Sequence, residues 1–304
     1  MWFVFDGEKA EMFEKEMSGK KIGTVNTAEE EITLVYKTSN LLMFNKNKKE
    51  TPPAQLYPLL KSNLQKQIRR GEKEAITTAS MMLDLDEFEL LRRLSIIAAE
   101  DVILSQETSR IVWYMASVSK RLILCEKDKR FILRYVYSLI ECGKCRRLEI
   151  DENEKRNMKR NEKLKMSEVL KSNHPEKNKL AGILFRYYFG GLSGDLPMLS
   201  ELCDDILQDG RLEVIMKEDV ISIPNLKFSE AAIDFHIYPN LLSLIKQDTN
   251  IEENVIKSCI WQCSSRINYR HKESSDLNHI WQKIYPSFLH HTKSYLSKVV
   301  KKYF

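Results

Sequence analysis

The chain has 304 residues, of which 43% are hydrophobic and 30% charged, and a formal net charge of +5. That balance suits a folded globular chain, and no apolar run approaches the roughly 20 residues that span a bilayer. Met1-Trp2-Phe3-Val4-Phe5 is too short for a signal peptide, and too soon followed by Asp6, Glu8 and Lys9, so a cytoplasmic or nucleoid-associated protein with no membrane contact is expected.

Glycine (10) and proline (8) are scarce while Lys, Glu, Leu and Ile dominate. This favours a mainly α fold, a helical array in two halves with a small N-terminal α/β unit. That unit is expected over residues 1–50, with Trp2–Phe5 as a short strand, Glu8–Met17 as a helix, and Ile22–Val25 and Ile32–Tyr36 as β-branched strands. The polar Asn45–Pro53 stretch reads as a linker. A helical collar-like domain follows over 51–150, where Leu60, Leu64, Ile68, Ala75, Ala79 and Met82-Leu83 mark one face. Asp86 with Glu89 forms a capping box, and helices fit Ser109–Leu122 and Lys129–Glu141. Residues 151–178 are the most polar stretch, expected to be a mobile charged linker or protrusion. The second helical half, 179–304, starts with Leu180–Phe189, breaks at Gly190-Gly191, and has room for a hairpin in Glu213–Ile223. Helices Ser229–Ile237, Asn240–Lys246, Ile251–Ser264, Leu277–Ile284 and Ser287–Lys302 complete it, with Asn250 and Glu253 as a second capping box.

Several chemistries lack their residues. Ser18-Gly19-Lys20-Lys21 has no upstream glycine to make a phosphate-cradling loop, and no GxGxxG follows a strand. A nucleotide-driven motor, a dehydrogenase or a Rossmann-type methyltransferase is therefore not expected. The 6 cysteines, without an export signal, imply reduced thiols. Cys142-Gly-Lys-Cys145 is the only CxxC, and nothing nearby supplies the further ligands a structural zinc wants, so no metal or other cofactor is expected. Cys259 and Cys263 share a helix face with Val255 and read as core. The positive charge is clustered in Lys61, Lys66, Arg69 and Arg70, in Arg92-Arg93, in Lys144, Arg146 and Arg147, and in Lys293, Lys298, Lys301 and Lys302. Clustering of this kind suits a polyanion, most simply DNA, with a solvated helical surface as the plain alternative.

Leu64-Gln-Lys66-Gln-Ile-Arg-Arg-Gly71, then Glu74-Ala75, Ala79 and Met82-Leu83, then Leu90-Leu-Arg92-Arg93-Leu94-Ser-Ile-Ile-Ala-Ala-Glu100-Asp101-Val102 form one recognisable block. Residues 60–103 resemble the C-terminal helical region of the replication-associated recombination protein A family, whose eukaryotic members are Werner-helicase-interacting ATPases. In that family an LHKxIRG stretch, alanine-rich turns and an RRLxRxASED block recur in this order. The resemblance implies a clamp-loader-like collar, a replication-linked DNA context, and a homo-oligomer or replication-complex partner. The family's ATPase module has no counterpart in this sequence, so ATP hydrolysis is not implied.

Three constellations carry candidate chemistry. Lys66, Arg69, Arg70, Arg92 and Arg93 come from two adjacent helices, and arginine forks suit phosphate oxygens. Glu100-Asp101 lies between apolar runs, where a carboxylate is either a functional acid or a structural partner of Arg93. Asp234 and His236 sit among apolar residues as a second candidate acid and base. On a helix their side chains point roughly 200° apart, and only an extended segment would place both on one side. The third set is Trp261, Ser264, Ser265, Arg266, Asn268, Tyr269 and Arg270, in which cations and an amide could meet phosphates and base edges while Trp261 and Tyr269 stack on a base. A helix end with exposed polar residues is the alternative.

Without a P-loop, an acidic metal cluster or a cofactor loop, the DNA chemistry left by elimination is base excision. The expected function is a metal-free DNA glycosylase in repair or phage defence, with Asp234 or Asp101 as the essential carboxylate. In this scheme His236 orients water or the leaving base, and Glu100 is a further candidate. The rival is a non-catalytic DNA-binding or oligomerisation module.

Overall fold

A computed structural model describes residues 1–27, 30–37, 56–142, 164–190, 196–216, 224–265 and 275–303. The fold is mainly helical, with a small sheet at the N-terminus. Among the described residues no helix is long and apolar enough to cross a membrane. The chain divides into two compact units, Met1–Lys49 with Asp86–Val220, and Glu50–Leu85 with Ile221–Phe304. These boundaries differ from the expected ones. The N-terminal strands belong with helices beyond Asp86, and the collar-like segment is divided between the units.

In the first unit β1 (Trp2–Phe5), β2 (Ala10–Phe13), β3 (Lys20–Asn26) and β4 (Glu31–Tyr36) form a sheet of order β2-β1-β4-β3, with β1 parallel to β4 and the other pairs antiparallel. The helix expected over Glu8–Met17 is instead β2. Ala10 and Met12 are buried while Glu11 and Phe13 are only half-buried, which is the two-residue period of a strand. Asp6 closes the preceding turn by accepting the N–H groups of Glu8 (2.9 Å) and Lys9 (2.8 Å) through Oδ1.

In chain order the sheet is followed by α1 (Leu56–Arg70), α2 (Ala75–Asp101), α3 (Thr108–Ser119), α4 (Glu126–Cys142), α5 (Met166–Lys171), α6 (Lys177–Tyr188) and α7 (Leu196–Asp209). Of these, α3 and α6 lie against the strands. Trp113 on α3 donates its indole N–H to the Phe3 carbonyl at 3.0 Å and packs on Phe5 at 4.9 Å between ring centroids. The buried Arg110 guanidinium lies 3.6 Å from the Phe131 ring centroid and donates to the Tyr114 hydroxyl, which in turn donates to Asp128 at 2.5 Å. A charge buried this deeply is tolerable because rings and hydrogen bonds replace its water.

Three features of this unit depart from expectation. Helix α7 was missed, because its apolar residues Leu199, Leu202, Cys203 and Ile206 follow closely on the Gly190-Gly191 break. Part of the supposed charged linker is ordered, since α5 buries Met166, Val169 and Leu170. Residues 143–163, which hold the first part of that linker and Cys145, lie outside the described residues. Of the expected hairpin, Glu213 forms an isolated parallel bridge with Ser105, and 217–223 lie outside the description.

Helix α2 passes from one unit to the other. Asp86 has φ −160° and ψ 95°, so the helical path breaks there, and its Oδ1 accepts the N–H groups of Phe88 (3.0 Å) and Glu89 (3.2 Å) to start the second segment.

The second unit holds α1, the first part of α2, α8 (Leu241–Thr249), α9 (Glu253–Cys259) and α10 (Ser275–Tyr303). Its core contains Leu241, Ile245, Ile256, Cys259, Ile260, Ile284 and Phe288. The helix expected over Ser229–Ile237 is reduced to one 3₁₀ turn, Glu230–Ala232, because Asp234 Oδ1 takes the N–H groups of His236 and Ile237. Asn250 does not start α9. It adopts a left-handed conformation (φ 55°) that ends α8, and Glu252 is the residue before α9. The two helices expected on either side of Pro286 are one, since Pro286 lies on the solvent side of α10 and removes only a single ladder bond.

Candidate nucleic-acid interface

Helix α1 supplies a row of buried polar side chains, which is unusual for a helix facing a core. Asn63 Nδ2 donates to Thr78 Oγ1 at 3.0 Å, and Thr78 donates to Gln67 Oε1 at 2.8 Å. Asn63 and Gln67 also donate to the Lys227 carbonyl, at 3.1 and 2.9 Å, while Asn63 Oδ1 accepts the Ser229 N–H at 3.0 Å. The irregular segment around 227–229 therefore takes backbone hydrogen bonds from amide side chains of α1.

One turn along, Lys66 Nζ donates to Asp234 Oδ2 at 2.6 Å and to Ser62 Oγ at 3.0 Å. Ser62 donates onward to the Ala232 carbonyl at 2.8 Å. Burial pushes the Lys66 ammonium below the usual lysine range, against the opposing pull of Asp234. The Asp234 carboxylate is thus held from three directions, by Lys66 and by the two backbone amides of its own turn.

At the end of α1, Arg69 Nη1 donates to the Ser265 carbonyl at 3.1 Å, and Arg70 Nη1 to the Ser264 carbonyl at 3.3 Å. Those carbonyls end a π-helical turn, Ile260–Ser264, that continues α9 and is closed by Ser265 N–H to the Ile260 carbonyl at 2.8 Å. A helix C-terminus carries partial negative charge, so two guanidinium groups suit it. Arg70 also pairs with Glu72 at 2.6 Å.

The turns held by Asp234 and by the two arginines bring three rings together at the surface. Phe235 lies 5.6 Å from Trp261 and 4.5 Å from His236, measured between ring centroids. Lys257 Nζ stands 5.2 Å from the Phe235 centroid and 5.1 Å from that of Trp261. Trp261 is 40% exposed, high for a tryptophan, and His236 is also exposed. Tyr238 anchors the segment from behind by stacking on Tyr295 of α10 at 4.5 Å, while Tyr295 donates to the Ile237 carbonyl at 3.2 Å.

The structure therefore gathers Lys66, Arg69, Arg70, Asp234, His236 and Trp261 into one unit but divides their roles. Lys66 and Arg69 are 5% and 6% exposed and face inward, so neither offers its cation on the α1 surface as expected. Asp234 and His236 are not on one side either, since the acid is buried and the imidazole exposed. Arg92, Arg93, Glu100 and Asp101 belong to the other unit. There Arg92 pairs with Glu89 at 2.7 Å, Arg93 approaches Glu100 at 3.9 Å, and Asp101 is buried. The Glu100 contact is the structural partnership with Arg93 named as an alternative. Arg266, Asn268, Tyr269 and Arg270 lie outside the described residues. Sequence reasoning missed Phe235 and Lys257. Lys257 stands four residues before Trp261, a spacing that places side chains together on a helix and could have identified it.

Among the described residues no group of three or more His, Cys, Asp or Glu is placed to hold a metal ion. No protein-family model matches the chain, and neither curated proteins nor solved structures give a match.

Proposed function

We propose that the chain acts on DNA and holds an unstacked base on the surface formed by Trp261, Phe235 and His236. The observation that carries this reading is the exposed Trp261 ring beside Phe235, with the Lys257 ammonium over both. Rings offer a stacking face to any base, and an adjacent cation meets the phosphate next to it. The resemblance of residues 60–103 adds a replication-linked context.

The catalytic form of this reading is metal-free base excision. The bond from C1′ of the sugar to the base nitrogen breaks and its electron pair leaves with the base. Water then adds to C1′, and its proton balances the departing base. Asp234 is the carboxylate next to Phe235 in the chain, and His236 would orient water or the leaving base; Asp101 and Glu100 are the alternatives. The second reading, a non-catalytic DNA-binding or assembly module, is favoured by the hydrogen bonds that already engage Asp234.

The test is binding of single-stranded and duplex DNA by the full chain and its Trp261→Ala variant, followed by alkali cleavage to detect abasic sites. Stacking is worth about 1–3 kcal/mol per base, so Trp261→Ala should weaken single-strand binding by roughly five- to hundredfold. Equal affinities would overturn the platform. Abasic sites in damaged or modified DNA would support excision, and their absence alongside Trp261-dependent binding would leave the assembly module.

A further inference from the structure

From Leu277 to Tyr303, α10 carries no carboxylate. Its buried side, with Ile284, Phe288 and Val299, is used up in the core of the second unit. On the solvent side Lys283, His290, Lys293, Lys298 and Lys301 are exposed. At about 100° per residue they fall within about 140° of the helix circumference, one broad stripe, and Lys283 to Lys301 spans about 27 Å at 1.5 Å per residue. The one carboxylate from α8 that meets this helix is already engaged: Asp248 Oδ2 accepts from Ser287 Oγ at 2.5 Å and from His291 Nε2 at 2.8 Å.

We infer that this stripe is a track for the phosphate backbone of nucleic acid, continuing from the base-holding surface through the Tyr238–Tyr295 stack. The inference rests on the DNA reading above and names the surface that supplies its electrostatic affinity. Charge complementarity selects the occupant, because duplex DNA presents one negative charge per about 1.7 Å of axis and so matches a long row of cations. An anionic membrane would also attract lysines. A helix that lies in a membrane surface needs a free apolar side to insert, however, and here that side is buried.

The test compares the full chain, the Lys283→Gln/Lys293→Gln/Lys298→Gln/Lys301→Gln variant and Trp261→Ala for duplex and single-stranded DNA across a salt series. All four lysines are exposed, so circular dichroism should match the parent. The plot of log affinity against log salt should become shallower by about 0.9 for each duplex phosphate contact removed. Trp261→Ala should lower affinity without changing that slope. An unchanged slope in the lysine variant, with Trp261→Ala still defective, would overturn the track and leave the platform standing. A parent that binds no DNA would overturn both. Vesicles containing phosphatidylserine serve as a third probe, and tighter binding to them than to DNA, lost in the lysine variant, would replace nucleic acid as the occupant.

Discussion

Lys66 Nζ and Asp234 Oδ2 lie 2.6 Å apart, joining positions separated by 168 residues, with side chains only 7% and 9% exposed. The pair fixes the 3₁₀ turn and Asx turn of residues 229–238 on α1, and Phe235 and His236 reach the surface only because that turn is held. Asp234→Asn removes the charge opposite a buried ammonium. Breaking one side of a buried pair costs about 3–5 kcal/mol, so the urea midpoint should fall sharply. Lys66→Met combined with Asp234→Asn removes both charges and should regain most of the loss. Coincident midpoints for the parent and Asp234→Asn would remove the pair from the account. Loss of excision activity in Asp234→Asn counts as chemistry only where this measurement shows the chain still folded.

A second prediction concerns the close approach of α6 to the sheet. A methyl group at Gly182 would come within 2.8 Å of the Phe3 ring and would also clash with Ser109 Oγ. Both neighbours are buried, and the Ser109 hydroxyl is tied to the Ala10 carbonyl at 2.6 Å, so little can yield. Gly182→Ala removes helix-disfavouring glycine yet should destabilise by about 1–3 kcal/mol through overpacking. Thermal unfolding checks it, and a raised Tm would show that α6 can move away from β1.

How much of this was legible in the sequence depends on where the deciding partner lies. Trp2–Phe5, Ile32–Tyr36 and α3 follow from local period and β-branching, and the structure keeps them within a few residues. Asp86 was recognisable as a helix start because its partners, Phe88 and Glu89, are two and three residues away. The strand at Ala10–Phe13 was misread because four residues carry too little period to outweigh helix-forming Glu and Met. Asp234 and His236 stand out in the sequence as polar residues among apolar ones, but the residue that decides Asp234's environment is Lys66, on another element. The same holds for Arg69, whose carbonyl partner at Ser265 is 196 residues away. Long-range pairing turned an expected binding cation into a helix cap.

The phenols of the first unit set a limit at alkaline pH. Tyr135 is completely buried and shares a 2.9 Å hydrogen bond with Thr108, and burial pushes its phenol well above the usual tyrosine range. Burial does the same to Tyr114, which is held between Arg110 and Asp128. The unfolded chain releases these protons near the ordinary value of about 10, whereas the folded chain retains them. Stability is therefore complete below about pH 10 and falls as pH rises beyond it. Thermal midpoints measured from pH 8 upward should decline above that point, and Tyr135→Phe should decline less steeply than the parent. A flat profile, or one that Tyr135→Phe leaves unchanged, would remove Tyr135 from the effect.

Thiol reactivity offers the last check, because it reports on the core directly beneath the proposed platform. Cys259 packs with Ile256, Ile260 and Phe288, and burial, followed by the influence of Cys263, pushes its thiol up to about 11. The thiolate is the reactive form, so Cys259 should be close to inert at pH 8 while the fold is intact. Among the cysteines of the described residues, Cys125 is exposed just before α4 and should react first with iodoacetamide. Peptide mass spectrometry after timed alkylation distinguishes the two, with Cys259 modified at an appreciable rate only when denaturant opens the second unit. Alkylating Cys125 alone should leave DNA affinity unchanged, since it belongs to the other unit. Early modification of Cys259 in the folded chain would mean that the core under Trp261 opens readily, and a platform on so mobile a base could not hold a stacked ring in place.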